Sequence, residues 1–149
     1  MRNSFSFFVF IIVLLVGVNS CGPNIEITPF PDAPFDHVLA YKMDGTDNNV
    51  IEKNQLSEHV LGKPKELSKE QVNRLLNIIN SVSSYGEEGA SCFEPHLGFV
   101  FYNSNDEVIA HATVCLMCSW MQTSPKSCSN PISRKGSNKL SNLEKQLFN

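Results

Sequence analysis

The stretch "LGFVFYNSNDEVIAHATVCLM", residues 97–117, restricts the fold more than any other in this chain of 149 residues. Two runs rich in apolar, β-branched and aromatic residues flank a polar segment, 103–107, which is the signature of a β-hairpin. Both runs are apolar at successive positions, so both faces of the hairpin are expected to be covered, as in central strands. Pairing Tyr102 with Val108 sets Cys92 opposite Cys118 and His96 opposite Val114. Pro95 at the strand start can shift that register by a residue. Cys92, His96, Cys115 and Cys118 are therefore expected to share one end of the hairpin, in the pattern C-x3-H-x18-C-x2-C.

A helix is expected over about 69–80. In "LSKEQVNRLLNIIN", Ser68 can cap it, Gln71 completes a capping box, and Leu67 with Val72 has the spacing of a hydrophobic staple. Val72, Leu75, Leu76 and Ile79 follow at i, i+3, i+4 and i+7, one stripe facing a core. "HVLAYKM" reads as a first strand and "DGTDNN" as the loop after it, whereas residues 50–66 show no clear period and read as loop with a short element. "SWMQTSPKSCSNPISRKG" is turn-rich and irregular; Ser137 is expected to cap a last helix carrying Leu140, Leu143 and Leu147 on one face. No internal repeat is visible. These pieces predict an α+β fold, a small antiparallel sheet built on the 97–103 and 108–118 hairpin and packed by one amphipathic helix and a C-terminal helix.

Three chemistries fit the cysteine cluster. Disulfides suit a chain exported into an oxidising compartment, with Cys92 and Cys118 as cross-strand neighbours, Cys115 near them and Cys128 as an extra partner. A metal suits three thiolates and an imidazole: Zn²⁺ takes such tetrahedral sets, and the thioethers of Met117 and Met121 would favour Cu(I). Thiol-disulfide exchange suits a C-x-x-C, although the thioredoxin kind opens a helix and the residues after Cys118 make a poor one. Haem attachment is excluded because Ser119, not histidine, follows Cys118.

The N-terminus indicates that compartment. Arg2 precedes an apolar run over 5–18, too short for a bilayer span of about 20 residues and suited to a signal-peptide core. Val18-Asn19-Ser20-Cys21 resembles the lipobox of bacterial lipoproteins, with a branched residue at −3, a small one at −1 and a cysteine that is acylated. The resemblance implies removal of residues 1–20, lipidation of Cys21 and a palmitate-type membrane anchor. Gly22 in place of an inner-membrane retention aspartate implies the outer membrane of a Gram-negative cell envelope. Residues 21–34 hold four prolines and read as a stiff tether, with a single domain over 35–149.

Charge excludes one class of partner. The net charge is −3, and loss of Arg2 makes it −4, so nucleic acid is not expected. Between Arg74 and Lys126 there is no lysine or arginine, while Glu87, Glu88, Glu94, Asp106 and Glu107 fall there. Beyond it, Lys126, Arg134, Lys135, Lys139 and Lys145 face Glu144 alone. No Ser-His-Asp spacing, H-E-x-x-H, phosphate-binding glycine loop or paired-carboxylate motif is present. His111 reads as a packed mid-strand histidine, His37 and His59 have no partner visible in the sequence, Glu87-Glu88 reads as a solvated turn, and Trp120 as core or hairpin edge.

"CFEPHLGFVFYNSNDEVIAHATVCLMC", with "LSKEQVNRLL" upstream, resembles a group of small uncharacterised bacterial proteins, many with lipoprotein signals. Their shared pattern is C-F/Y-x-P-H/R-x-G-x-x-F-Y followed by I-C-x-x-C. It falls on Cys92, Phe93, Pro95, His96, Gly98, Phe101, Tyr102, Cys115 and Cys118, with Cys128 outside it. The resemblance implies one structural unit and no particular activity. The expected function is a membrane-anchored, non-enzymatic binding module for an envelope protein, of immunity or inhibitor type; the alternative is a metal-binding or thiol-redox lipoprotein. No cofactor is required by the first, and Zn or Cu by the metal form of the second.

Overall fold

Alternation of side chains along three central strands decides the layering. A computed structural model describes residues 26–86, 89–128 and 131–149. Residues 1–25, and with them the leader, the lipobox and Cys21, lie outside the described residues, as do Glu87 and Glu88. The main sheet contains β1 (His37–Met43), β4 (Val60–Glu66), β5 (Leu97–Tyr102), β6 (Val108–Cys115) and β7 (Trp120–Ser124). Its order is β4-β1-β5-β6-β7, every pair antiparallel. The helices are α1 (Lys69–Ile79) and α2 (Arg134–Phe148), and a short ribbon pairs β2 (Ile51–Glu52) with β3 (Gln55–Leu56). This is the expected α+β fold built around the β5–β6 hairpin.

One face of the sheet presents Val38 and Ala40 from β1, Leu97, Phe99 and Phe101 from β5, and Ala110, Ala112 and Val114 from β6. Both helices pack there, through Val72, Leu75, Ile78 and Ile79 of α1 and Leu140, Leu143 and Leu147 of α2. The intervening residues point the other way, as a period of two requires. On that second face Tyr41, Met43 and Val100 form a smaller core with Val50 and Ile51, which the 44–59 segment folds over the sheet. Gly98 makes room for it, because a Cβ on Gly98 would lie 2.5 Å from that of Val50. The Val50 amide donates to the buried Thr113 hydroxyl at 2.9 Å and so pins the segment in place.

Helix α1 begins as its sequence requires: Ser68 accepts from the Gln71 amide, and the Gln71 side chain accepts from the Ser68 amide. Helix α2 starts earlier than Ser137. Its cap is Ser133, whose hydroxyl accepts from the Gly136 amide at 3.1 Å. A glycine in the first turn weakens the helical pattern, yet it is needed here: a Cβ on Gly136 would fall 2.3 Å from the Ser84 carbonyl oxygen.

Besides the short β2–β3 ribbon, two strands of the main sheet lie where the sequence shows no strand pattern. β4 is an edge strand exposed from Leu61 to Glu66, so burial imposes no alternation on it, and Lys63, Pro64 and Lys65 suit an edge that must not recruit another strand. β7 follows β6 after a tight turn, so the second run of the expected hairpin ends at Cys115 rather than at 118. Packing also begins before Phe35. Phe30 is buried against Phe101 at a ring separation of 5.2 Å, and its main chain is held by both ends of the Asn80 amide. Thr28 is tied to Ser127 by two further hydrogen bonds. Residues 28–30 therefore belong to the domain rather than to a free tether.

Candidate thiol site

The β6–β7 turn is four residues long, between the paired residues Cys115 and Trp120. Cys115 closes β6 on the second face of the sheet and is fully buried; Cys118 lies in the turn and is also buried. The turn closes through Ser119, which adopts a φ of 51° and donates its amide to the Leu116 carbonyl at 3.3 Å. Folding back in this way brings the Cys118 amide to 3.1 Å from the Cys115 sulfur. A C-x-x-C in a β-turn has no helix N-terminus to lower a thiol pKa, which separates it from the thioredoxin arrangement.

Cys92 arrives from the loop between α1 and β5. That loop is stitched to the turn by the Ala90 amide, which donates to the Cys118 carbonyl at 3.0 Å, and Gly89 lies against the Trp120 ring. The Cys92 and Cys118 sulfurs stand 2.6 Å apart. A disulfide has a sulfur separation of about 2.05 Å, and Cys92, Cys115 and Cys118 are thiols in this structure. Cys92 is exposed and its two partners are buried, so the trio has one open end.

Hydrogen bonding divides the thiols. Burial pushes the Cys118 pKa up, but hydrogen bonds from Cys115, from Cys92 and from the Glu94 main chain outweigh it, and the net shift is downward. Cys92 moves up, first because its proton is committed to Cys118 and then because of burial. Burial, followed by the same commitment to Cys118, pushes Cys115 up to about 11.

His96 does not join them. Its amide donates to Val114 at 3.2 Å, and its Nδ1 donates to the Glu94 carbonyl at 2.9 Å, since a carbonyl can only accept. Its Nε2 is turned toward Gly45, where a Cβ would lie 2.9 Å away. Among the described residues no group of three or more His, Cys, Asp or Glu side chains is placed to hold a metal ion. Donors around a tetrahedral Zn²⁺ at about 2.3 Å would stand roughly 3.7 Å apart, well beyond the Cys92–Cys118 separation. Met121 is buried in the helix-side core, away from the face that carries Cys115, while Met117 is 82% exposed at the tip of the turn. Cys128 lies in the helix-side core, where its charge would oppose ionisation of Tyr85 after burial has already done so.

The remaining polar candidates are dispersed. Glu94 adjoins the thiols, whereas Asp106 and Glu107 sit at the opposite end of the β5–β6 hairpin, so these three described acidic residues form no single face. His111 lies at the wall of a cavity of about 480 Å³ with Asn54, Asp106, Glu107 and Ser124, and burial pushes its pKa down. Among the described residues no donor or acceptor meets its buried Nδ1. His59 and His37 acquire partners that the sequence did not display: His59 Nδ1 lies 3.0 Å from Asp44, and His37 lies beside Asp36 and stacks on Tyr102. Comparison with known proteins finds no matching family model, no matching curated protein and no matching solved structure.

Proposed function

We propose that this protein is a bacterial envelope lipoprotein, anchored in the outer membrane through acylated Cys21, whose domain is a non-enzymatic binding module for another envelope protein. The lipobox-like residues 18–21 and the likeness of 67–118 to the small lipoprotein group support the anchor and the compartment. The observation that carries the binding reading is the exposed thioether of Met117. It stands on the tight β6–β7 turn beside a cavity of about 480 Å³ that Leu61, Leu116 and His96 help to line, and Leu61 is itself 51% exposed. An adaptable apolar side chain held out on a tight turn suits contact with an apolar segment of a partner. A photocrosslinker at position 117 should capture one envelope protein in intact cells, and Leu61→Glu should abolish that capture. Capture that is absent, or indifferent to Leu61→Glu, rejects the reading. Incorporation of a palmitate analogue that survives Cys21→Ala rejects the anchor.

A second reading is favoured by the sulfur geometry. Cys92, Cys115 and Cys118 form a thiol-disulfide centre rather than a metal site, and the 2.6 Å approach of Cys92 to Cys118 carries it. Oxidation by an external disulfide would join Cys92 to Cys118 and release two thiols from the oxidant. Non-reducing intact mass with metal analysis tests it: a lost pair of thiol hydrogens supports the centre, and retained thiols with stoichiometric metal reject it.

A further inference from the structure

Three thiols at one turn leave one sulfur over after any single bridge. Resting on the thiol-disulfide reading above, we infer that Cys118 is a shared partner, able to bond either Cys92 or Cys115, so that exchange between the two bridges switches the exposed Cys92 between bonded and reactive forms.

The placement of the three residues carries this. Cys118 is the only one of the trio in contact with both others: its sulfur lies 2.6 Å from that of Cys92, and its amide is 3.1 Å from the sulfur of Cys115. Cys115 and Cys118 are three residues apart on one tight turn, a spacing that closes readily into a C-x-x-C disulfide. The first bridge ties the 89–96 loop to the turn; the second lies wholly within the turn.

The chemistry balances without a further reagent once one disulfide exists. An external disulfide first oxidises the dithiol: Cys92 attacks it and displaces one thiolate, and Cys118 then attacks the Cys92 sulfur and displaces the second. The protein loses two electrons and the oxidant becomes two thiols. Cys115 next gives up its proton and attacks the Cys118 sulfur. The Cys115–Cys118 bond forms, the Cys92–Cys118 bond breaks, and its electron pair leaves on Cys92, which takes up a proton. Burial keeps Cys115 protonated near neutral pH, so this exchange should be slow at pH 7 and accelerate as pH rises toward 11. Once released, Cys92 is the exposed thiol of the three, placed to attack a disulfide of a bound partner, forming a mixed disulfide and displacing the partner's other sulfur as a thiolate.

The test is disulfide mapping of the full chain after treatment with oxidised glutathione at pH 7 and pH 9, quenched by acid and alkylated. Wild type should show the Cys92–Cys118 peptide at pH 7 and gain the Cys115–Cys118 peptide at pH 9, with Cys92 becoming alkylated in step. Cys92→Ser should still bridge Cys115 to Cys118, and Cys115→Ser should hold Cys92–Cys118 at both pH values. If Cys92→Ser leaves Cys115 and Cys118 both alkylated while wild type forms the Cys92–Cys118 bridge, the shared-partner inference falls and the thiol-disulfide reading stands. If wild type forms no bridge among the three, or retains all three thiols on a metal, that reading falls with it. Cys92 is exposed, so Cys92→Ser should preserve the far-ultraviolet circular dichroism and give an interpretable map.

Discussion

Val50 rests on Gly98: a Cβ added to the glycine would meet the valine side chain at 2.4 Å. The second face of the sheet is covered only because β5 leaves that space, and the cover is pinned by Thr113, the residue of β6 that pairs directly with Gly98 and accepts from the Val50 amide. Gly98→Ala should therefore push the 44–59 segment off the sheet and cost about 1 to 3 kcal/mol, the usual range for overpacking a core. Chemical denaturation of wild type and variant measures it; an unchanged midpoint would mean that the segment is not seated on β5.

Phe30 should behave as a core residue although it lies among the prolines of the N-terminal segment. Its burial and its edge-on contact with Phe101 predict a loss of about 3 to 5 kcal/mol for Phe30→Ala. A free tether would predict no change in the denaturation midpoint.

The Asp44–His59 pair should make stability depend on pH. Asp44 is held down at about 2, first by the Thr46 amide and then by His59. His59 is raised, chiefly by its hydrogen bond to Asp44. The Asp44 contribution is present above its unfolded pKa of about 3.9 and fades as pH falls through the folded value; the His59 contribution is complete below its unfolded pKa of about 6.5 and fades as pH rises through the folded value. The stability difference between wild type and Asp44→Asn should be largest near pH 5 and shrink on both sides, and added salt should reduce it. A flat difference from pH 3 to pH 9 would contradict the pairing.

His111 should act in the opposite sense. Its burial lowers its pKa, so the unfolded chain binds the extra proton first and stability falls as pH drops below about 6.5. His111→Gln, which removes the proton site, should flatten that part of the profile without removing the His59 effect. An unaltered acid limb would place the titration elsewhere.

How much could be read beforehand follows from where burial imposes a pattern. Helix α1 carries its cap and its stripe within one short segment, so Ser68, Gln71 and the Val72 to Ile79 stripe suffice to locate it. The β5–β6 hairpin is equally local, and Tyr102 does oppose Val108. A bulge beside Phe101 then shifts the ladder by one, giving Leu97 opposite Val114. That shift moves the position opposite His96 from Val114 to Cys115, yet the ring is held by the Glu94 carbonyl and turns to Gly45 rather than to the sulfurs. β4 was hidden because an exposed edge strand needs no alternation, and β7 because its short run lies among turn residues. The Asp44–His59 contact joins residues of one irregular segment that only the tertiary cover of the sheet brings together.

Disulfide mapping of the oxidised full chain at pH 7 tests the account of the site most directly. Juxtaposed sulfurs at Cys92 and Cys118 predict that these two cysteines leave the alkylatable pool together, as one bridge, with no metal bound. A chain that keeps Cys92, Cys115 and Cys118 alkylatable under the same oxidant, or that holds stoichiometric zinc through them, would contradict it.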